Sequence, residues 1–226
     1  MPTVREYMRA YAVVPVWTTR SRSVTADRRT LMTAALAPER LAQTSRPVLD
    51  VLAARWSPRA FDADAPVDEA TLTSALEAAR WSPSASNSQP WRFVVARRGT
   101  PEHAAVVGTL MGFNSVWAGD APVLIVALAE TATAEGTPQR WAVYDLGQAV
   151  AHLSIQAHHD GLHVHQMGGF EPDAVRAAFD IDERFEPVTV IALGHLGDPD
   201  TLPEKLRERE SAPRVRKPLD EIVLSA

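Results

Sequence analysis

Between Pro122 and Ala129 the chain runs Pro-Val-Leu-Ile-Val-Ala-Leu-Ala without one polar side chain. Successive side chains of a strand point to opposite faces, so a run apolar at every position suits a strand buried on both sides. Helical patterns stand before and after it. Asp68 to Arg80 sets Leu72, Ala75, Leu76 and Ala79 at helical spacing behind an Asp68 cap. Thr100-Pro101 opens a helix to about Gly112, and Trp141 to Asp160 forms a long helix ended by Gly161 as a left-handed cap. Trp91 to Ala96, His163 to Met167 and Val188 to Leu196 read as strands, with a helix from Pro172 to Asp180. This alternation, with few two-residue hairpin signals and no internal repeat, predicts an α/β sandwich. No G-x-G-x-x-G follows a strand, so a Rossmann dinucleotide fold is unsupported.

A chain of 226 residues, 46% hydrophobic and 23% charged, is enough for one sizeable core of ordinary globular composition. Cysteine is absent, which excludes disulfides, thiolate catalysis, zinc ribbons and Cys-ligated iron–sulfur clusters. Any redox chemistry must come from a bound cofactor. The net charge is −5, but residues 1–46 carry eight arginines against three acids, so the remainder carries −10. A body that acidic is a poor nucleic-acid binder. Residues 1–46 read as an N-terminal arm, poorly ordered or packed on a partner subunit, ahead of a domain over 47–226. The apolar runs of the arm fall well short of the ~20 residues needed to span a bilayer. Asp27 to Ala37 resembles a twin-arginine export signal, yet Pro38-Glu39-Arg40 interrupts it at the lower end of a signal-peptide core. The expectation is a cytoplasmic protein with no membrane partner.

Two motifs carry the chemistry. Trp81-Ser82-Pro83-Ser84-Ala85-Ser86-Asn87-Ser88-Gln89-Pro90-Trp91 crowds small hydroxyl and amide residues between a helix and a strand, poor core material but suited to cradling a ligand. Upstream, Arg55-Trp56-Ser57-Pro58-Arg59 places two guanidinium forks and a hydroxyl at i, i+2, i+4. In an extended segment these three point to one side and can converge on a phosphate or an anionic ring edge. The pair of motifs resembles the nitroreductase family of flavin mononucleotide (FMN) oxidoreductases, with R-x-S-x-R/K-x-F followed by P-S-x-x-N-x-Q-P-W. Further landmarks in family order are Asn114-Ser115-Val116-Trp117, Tyr144-Asp145-Leu146-Gly147, Gly168-Gly169-Phe170 and Arg214-Val215-Arg216-Lys217-Pro218-Leu219. The resemblance covers residues 47–226.

That resemblance implies an α+β fold: a mixed, mostly antiparallel sheet flanked by helices, in an intertwined homodimer with two FMN sites at the subunit interface. Arg55, Ser57, Arg214 and Arg216 would hold the FMN phosphate, with Trp56 beside them. Arg59 would sit by the pyrimidine edge of the ring, where negative charge develops on reduction. Asn87 and Asn114 are candidates for hydrogen bonds to the ring, while Pro83, Ser84 and Ala85 would reach the flavin of the other subunit. The backbone of Gln166, Met167, Gly168 and Gly169 would face the ring, with one N–H near N5. Two departures stand out: position 168 is glycine where some members have glutamate, and Ala85 stands where a second serine is common.

The implied activity moves hydride from NADH or NADPH through flavin N5 to a nitroaromatic, quinone or similar small-molecule acceptor by a ping-pong mechanism, with no catalytic side chain. Alternatives are a flavin-cleaving or dehalogenating member of the same fold, or a protein that only sequesters FMN. Read from the residues alone, Arg214 and Arg216 fit a solvated basic tail and Gly168-Gly169 a simple turn. The run Glu204 to Glu210 reads as a solvated helix face. His158, His159, Asp160, His163 and His165 invite a metal, but a helix end followed by a strand separates the two histidine pairs, so no metal site is expected. One of His163 and His165 is a candidate for the substrate pocket.

Overall fold

The computed structural model describes residues 40–224. Most of the expected N-terminal arm, with the export-like stretch Asp27 to Ala37, lies outside the described residues. Arg40 and Ala42 lie against the domain: the Ala42 N–H donates to the Ala53 carbonyl at 2.9 Å, and the Arg40 guanidinium stands 4.4 Å from the centre of the Trp56 ring.

The strands are β1 (Trp91–Arg97), β2 (Val123–Glu130), β3 (His163–Met167) and β4 (Phe185–Gly194), in the spatial order β1-β2-β4-β3. All three pairings are antiparallel, so among the described residues the sheet has no parallel pair. The helices described are α1 (Asp50–Ala54), α2 (Glu69–Arg80), α3 (Pro101–Gly108), α4 (Asn114–Trp117), α5 (Ala142–His159), α6 (Pro172–Phe179), α7 (Glu204–Ser211) and α8 (Leu219–Ile222).

Every residue of β2 is buried, as its apolar run requires. Val123, Ile125, Ala127 and Ala129 enter one core with Leu72, Ala75 and Ala79 of α2 and Leu146, Ala149 and Leu153 of α5. Leu124, Val126 and Leu128 enter the other, with Val106 of α3, Trp117 of α4, Val175 of α6 and Leu206 of α7. Burying one such aliphatic side chain is worth about 1.5–3 kcal/mol, so the two covers of the sheet carry much of the stability.

Caps fall where the sequence signals them. The Asp68 carboxylate accepts from the Thr71 N–H at 3.0 Å, and the Thr100 hydroxyl from the His103 N–H at 3.3 Å. Gly161 takes φ +87°, and the Leu162 N–H returns to the Ala157 carbonyl at 2.9 Å, closing α5. Three boundaries differ from the expectation. Helix α3 stops at Gly108 rather than Gly112, because Leu110 bridges to Phe170 and the Met111 N–H bonds the Gly169 carbonyl at 3.0 Å. Strand β4 begins at Phe185, upstream of Val188; Pro187 offers no ladder N–H and sits at a bulge, with Leu128 facing Pro187 and Ala127 facing Thr189. It ends at Gly194, and Leu196 pairs with Phe61 instead.

That pairing positions the segment after α1. The Gly197 N–H donates to the Ala60 carbonyl at 2.9 Å and the Asp62 N–H to the His195 carbonyl at 3.0 Å. A Cβ at Gly197 would stand 2.5 Å from the Phe61 carbonyl carbon and oxygen, backbone that has no rotamer to escape into. Gly197→Ala is therefore expected to cost about 3 kcal/mol, the upper end for overpacking. Urea melts should show a lower midpoint at unchanged slope; an unchanged midpoint contradicts this packing.

Candidate functional site

Arg55 follows the last turn of α1 in extended conformation, and its N–H still bonds the Val51 carbonyl at 3.0 Å. Beyond it the chain is fixed from two sides. His165 of β3 donates through Nδ1 to the Pro58 carbonyl at 2.7 Å. The Glu210 carboxylate of α7 accepts from the Arg59 N–H at 2.9 and 3.1 Å and from the Ala60 N–H at 3.3 Å, and lies 3.6 Å from the Arg59 guanidinium. Ser57 is left exposed between these anchors, while Trp56 meets His163 edge-on at 6.5 Å.

The C-terminal segment crosses the same place. Arg214 donates through one nitrogen to the carbonyls of Arg40 at 2.7 Å and Ala53 at 2.6 Å, and Arg216 is exposed. Burial and then the neighbouring Arg216 hold the Arg55 guanidinium below its usual range; burial, then Arg55, Arg216 and Arg40, do the same to Arg214. Four guanidinium groups thus repel one another, and among the described residues none of them has a carboxylate partner. Such a cluster has the donors and the charge to receive an anion with several oxygens.

Beside it runs the end of β3. Gln166 is exposed and bonds Ser154 at 3.0 Å, while the buried Met167 gives its carbonyl to the Thr189 hydroxyl at 3.0 Å. At Gly168 a Cβ would meet nothing within 4 Å, so the backbone faces open space. At Gly169 a Cβ would stand 2.8 Å from the Asn114 amide nitrogen, which donates to the Gly169 carbonyl at 3.1 Å. Glycine is needed there for Asn114 to approach, and part of the Asn114 hydrogen-bonding capacity is used on the chain itself. His165 connects this stretch to α4 through the Trp117 ring, 4.6 Å away centre to centre.

The Pro83–Asn87 loop lies elsewhere. The Ala85 N–H bonds the buried Asp145 carboxylate at 2.9 Å, at the first turn of α5, and the Gln89 N–H bonds the Ser84 hydroxyl at 3.0 Å. Ser86, Asn87 and Gln89 all take positive φ (52°, 56° and 49°), a strained cluster of the kind found at ligand sites. A cleft of roughly 290 Å3 opens there between the loop and Trp141, Tyr144 and Gln148. The arginine cluster instead neighbours His158, which Arg55 and Arg214 perturb, at the far end of α5. Asp145 and His158 are about 20 Å apart at 1.5 Å rise per residue. One chain therefore brings together Arg55, Ser57, Arg59, Asn114, Gln166–Gly169, Arg214 and Arg216, and leaves Pro83, Ser84, Ala85 and Asn87 apart.

The histidines pack inward. His163 is buried against His158, edge-to-face at 5.0 Å, and both its ring nitrogens lack partners among the described residues. Burial first, then His158 and His195, push its pKa down to about 4; His165 is pushed down to about 4 by burial, against the opposing bond to Pro58. Among the described residues no three His, Asp or Glu side chains form a metal-binding group.

Three contributors are not among the candidate site residues, although Asp145 lies in one of the family landmarks. Glu210 belongs to a run expected to be solvated, yet is 1% exposed. Its signal is weak but present: it follows buried Leu206 by four residues and so shares its face. Asp145 opens a helix, where a carboxylate also has an ordinary electrostatic role. Arg40 was assigned to the arm.

A model of the nitroreductase family matches residues 52–106 and 99–195. The chain belongs to the nitroreductase family. The match takes in Arg55, the Pro83–Asn87 loop, Asn114 and β3, and ends before Arg214. A solved structure described as an oxidoreductase containing FMN is 38% identical, with a TM-score of 0.76 over 81% of this chain and 93% of that one. An uncharacterized 15.4 kDa protein of Mycolicibacterium smegmatis is 39% identical over 142 residues, 59% of this chain and 95% of its own length. NADH dehydrogenase of Thermus thermophilus is 27% identical over 217 residues, 80% of this chain and 98% of its own. The nitroreductase fold and the described antiparallel sheet agree with the expected architecture. No described helix is long and apolar enough to cross a membrane.

The buried histidines set an acid limit. A His whose folded pKa is about 4 against an ordinary 6.5 stays neutral in the folded protein while the unfolded chain binds its proton. Stability is then complete above pH 6.5 and falls as pH drops toward 4. Between pH 7 and pH 5, His163 should account for about 2 kcal/mol of lost stability. His163→Phe should flatten the pH dependence of urea melts by that amount, and an unchanged slope would remove His163 as its source.

Proposed function

We propose that this chain is an FMN-dependent oxidoreductase that passes electrons from NADH or NADPH to nitroaromatics, quinones or similar small electrophiles. The carrying observation is the cluster of Arg40, Arg55, Arg214 and Arg216, mutually repelling and without a described carboxylate. A phosphate dianion supplies the missing negative charge, and Arg55, Ser57, Arg214 and Arg216 have the donors to bind it. The open backbone at Gly168 leaves room for a flat ring beside Asn114 and Arg59. When bound, FMN would supply hydride chemistry at its N5, which accords with the absence of cysteine from this chain. Similarity to an FMN-containing oxidoreductase supports the cofactor, and similarity to an NADH dehydrogenase supports a nicotinamide donor.

A homodimer with shared sites completes the reading. The strained Pro83–Asn87 loop is held at the first turn of α5 while the arginines neighbour its last turn, so a second copy bringing its own loop to these arginines would enclose the FMN. Exposed Trp141 and Tyr144 at the start of α5, and Ile222, Val223 and Leu224 at the C-terminal end, are apolar surface that such a copy would cover.

The purified protein is expected to carry FMN and to oxidise NADH or NADPH in the presence of a quinone; flavin without turnover would favour sequestration instead. Arg216→Ala should weaken FMN binding roughly 10- to 150-fold, the value of one charge-assisted hydrogen bond. Arg207→Ala, on the exposed side of α7 beside Asp200, should change it less than twofold by flavin fluorescence titration. Equal dissociation constants would return Arg216 to a solvated tail.

Subunit sharing has its own test. Arg216→Ala and Ser84→Trp are each expected to depress activity, but their co-expression should restore about a quarter of wild-type turnover, since random pairing gives heterodimers with one intact site. No recovery, or a monomeric holoprotein by light scattering, contradicts the shared site.

A further inference from the structure

Glu210 is the least exposed carboxylate described, at 1%, and nothing in the proposed reaction uses it. A buried carboxylate costs several kcal/mol in desolvation unless it is fully paired, so an apolar residue would hold α7 in place at lower cost. Its pairing is selective. Both oxygens turn to a single place on another segment, taking the Arg59 and Ala60 N–H groups and facing the Arg59 guanidinium at 3.6 Å. Four residues later the same segment carries Arg214, which reaches back to Ala53 and Arg40. One carboxylate thus sets the register between the two strands of chain that bear the arginines.

It also divides their charge. Arg40, Arg55, Arg214 and Arg216 have no described counter-ion, whereas Arg59, four residues from Arg55, has Glu210. The phosphate end of the site is left strongly cationic and the ring end is partly neutralised. We propose that Glu210 is a positioning residue that fixes Arg59 and attenuates the charge it presents to the flavin ring, so limiting how strongly the site favours the reduced, more anionic ring. This inference rests on the FMN reading above.

The test is the ratio of two affinities, measured on apoprotein with oxidised FMN and, anaerobically, with reduced FMN. Glu210→Gln keeps the shape and one acceptor but removes the charge. It should raise the preference for reduced FMN about tenfold, equivalent to a two-electron midpoint potential ~30 mV more positive. Glu210→Asp, which keeps the charge, should stay within about threefold of wild type. Arg59→Ala should shift the ratio the opposite way, and it decides the matter alone if Glu210→Gln does not fold. A purely structural role would weaken both affinities in proportion and leave the ratio unchanged, which overturns the proposal. So does a wild-type ratio in Arg59→Ala. A wild-type protein that binds no FMN overturns this inference and the flavin reading together, whereas binding with an unmoved ratio overturns this one only.

Discussion

Because β2 is apolar on both faces from Val123 to Ala129, the sheet cannot leave either side to water, and the rest of the domain is arranged to cover it. Residues at odd positions of β2 meet α2 and α5; those at even positions meet α3, α4, α6 and α7. The covers determine where chemistry can occur. Segments unsuited to either core run around the ends of the sheet: Arg55 to Arg59 after α1, Gly168-Gly169 after β3, and Arg214 to Arg216 after α7. They converge because short backbone pairings, Phe61 with Leu196 and Leu110 with Phe170, extend the edges of the fold by one bridge each.

The arginine cluster is the costly feature of this arrangement. Two like charges at 4 Å repel by about 1 kcal/mol in water and about 4 kcal/mol in a partly buried setting. Arg214 nevertheless holds its place by two short bonds to main-chain carbonyls, which fix its position without cancelling its charge. Carbonyl partners in place of carboxylates keep the field of the site positive. Glu210, a buried carboxylate beside this group, pairs with Arg59 and the adjoining backbone. On the proposed reading an anion at one end and a ring at the other would therefore meet different potentials, built from the same residue type.

Much of the frame is legible in the sequence because its signals are local. The Asp68 and Thr100 caps, the Gly161 terminator and the two-sided apolar strand each act within a few residues of where they are read. The boundaries that differ depend on partners distant in sequence: α3 is cut short by Phe170 and Gly169, and β4 absorbs Pro187 by bulging at Val188 against β2. The site divides the same way. Arg55, Ser57 and Arg59 can be grouped by spacing alone, whereas Arg214 and Arg216 join them only through the family resemblance. Glu210 is marked off from exposed Glu204 and Glu208 of the same helix only by sharing the face of Leu206, and docking against Ala60 is what makes that signal decisive.

On the homodimer reading, helix α5 links the two ends of the proposed site. Its first turn holds the Pro83–Asn87 loop through Asp145, and its last turn lies by the arginines through His158. A rigid helix keeps these groups about 20 Å apart whatever the side chains do. The loop is held in three left-handed residues without a glycine among them, a conformation that costs of order 1–3 kcal/mol each and persists only if something else fixes it. Asp145 supplies one bond, to Ala85, which leaves Ser86 and Asn87 exposed in strained geometry. Such strain is useful at a surface built to meet a partner. On the homodimer reading α5 serves as the spacer that presents the loop to one site and the arginines to another, so that each flavin would be enclosed by two chains.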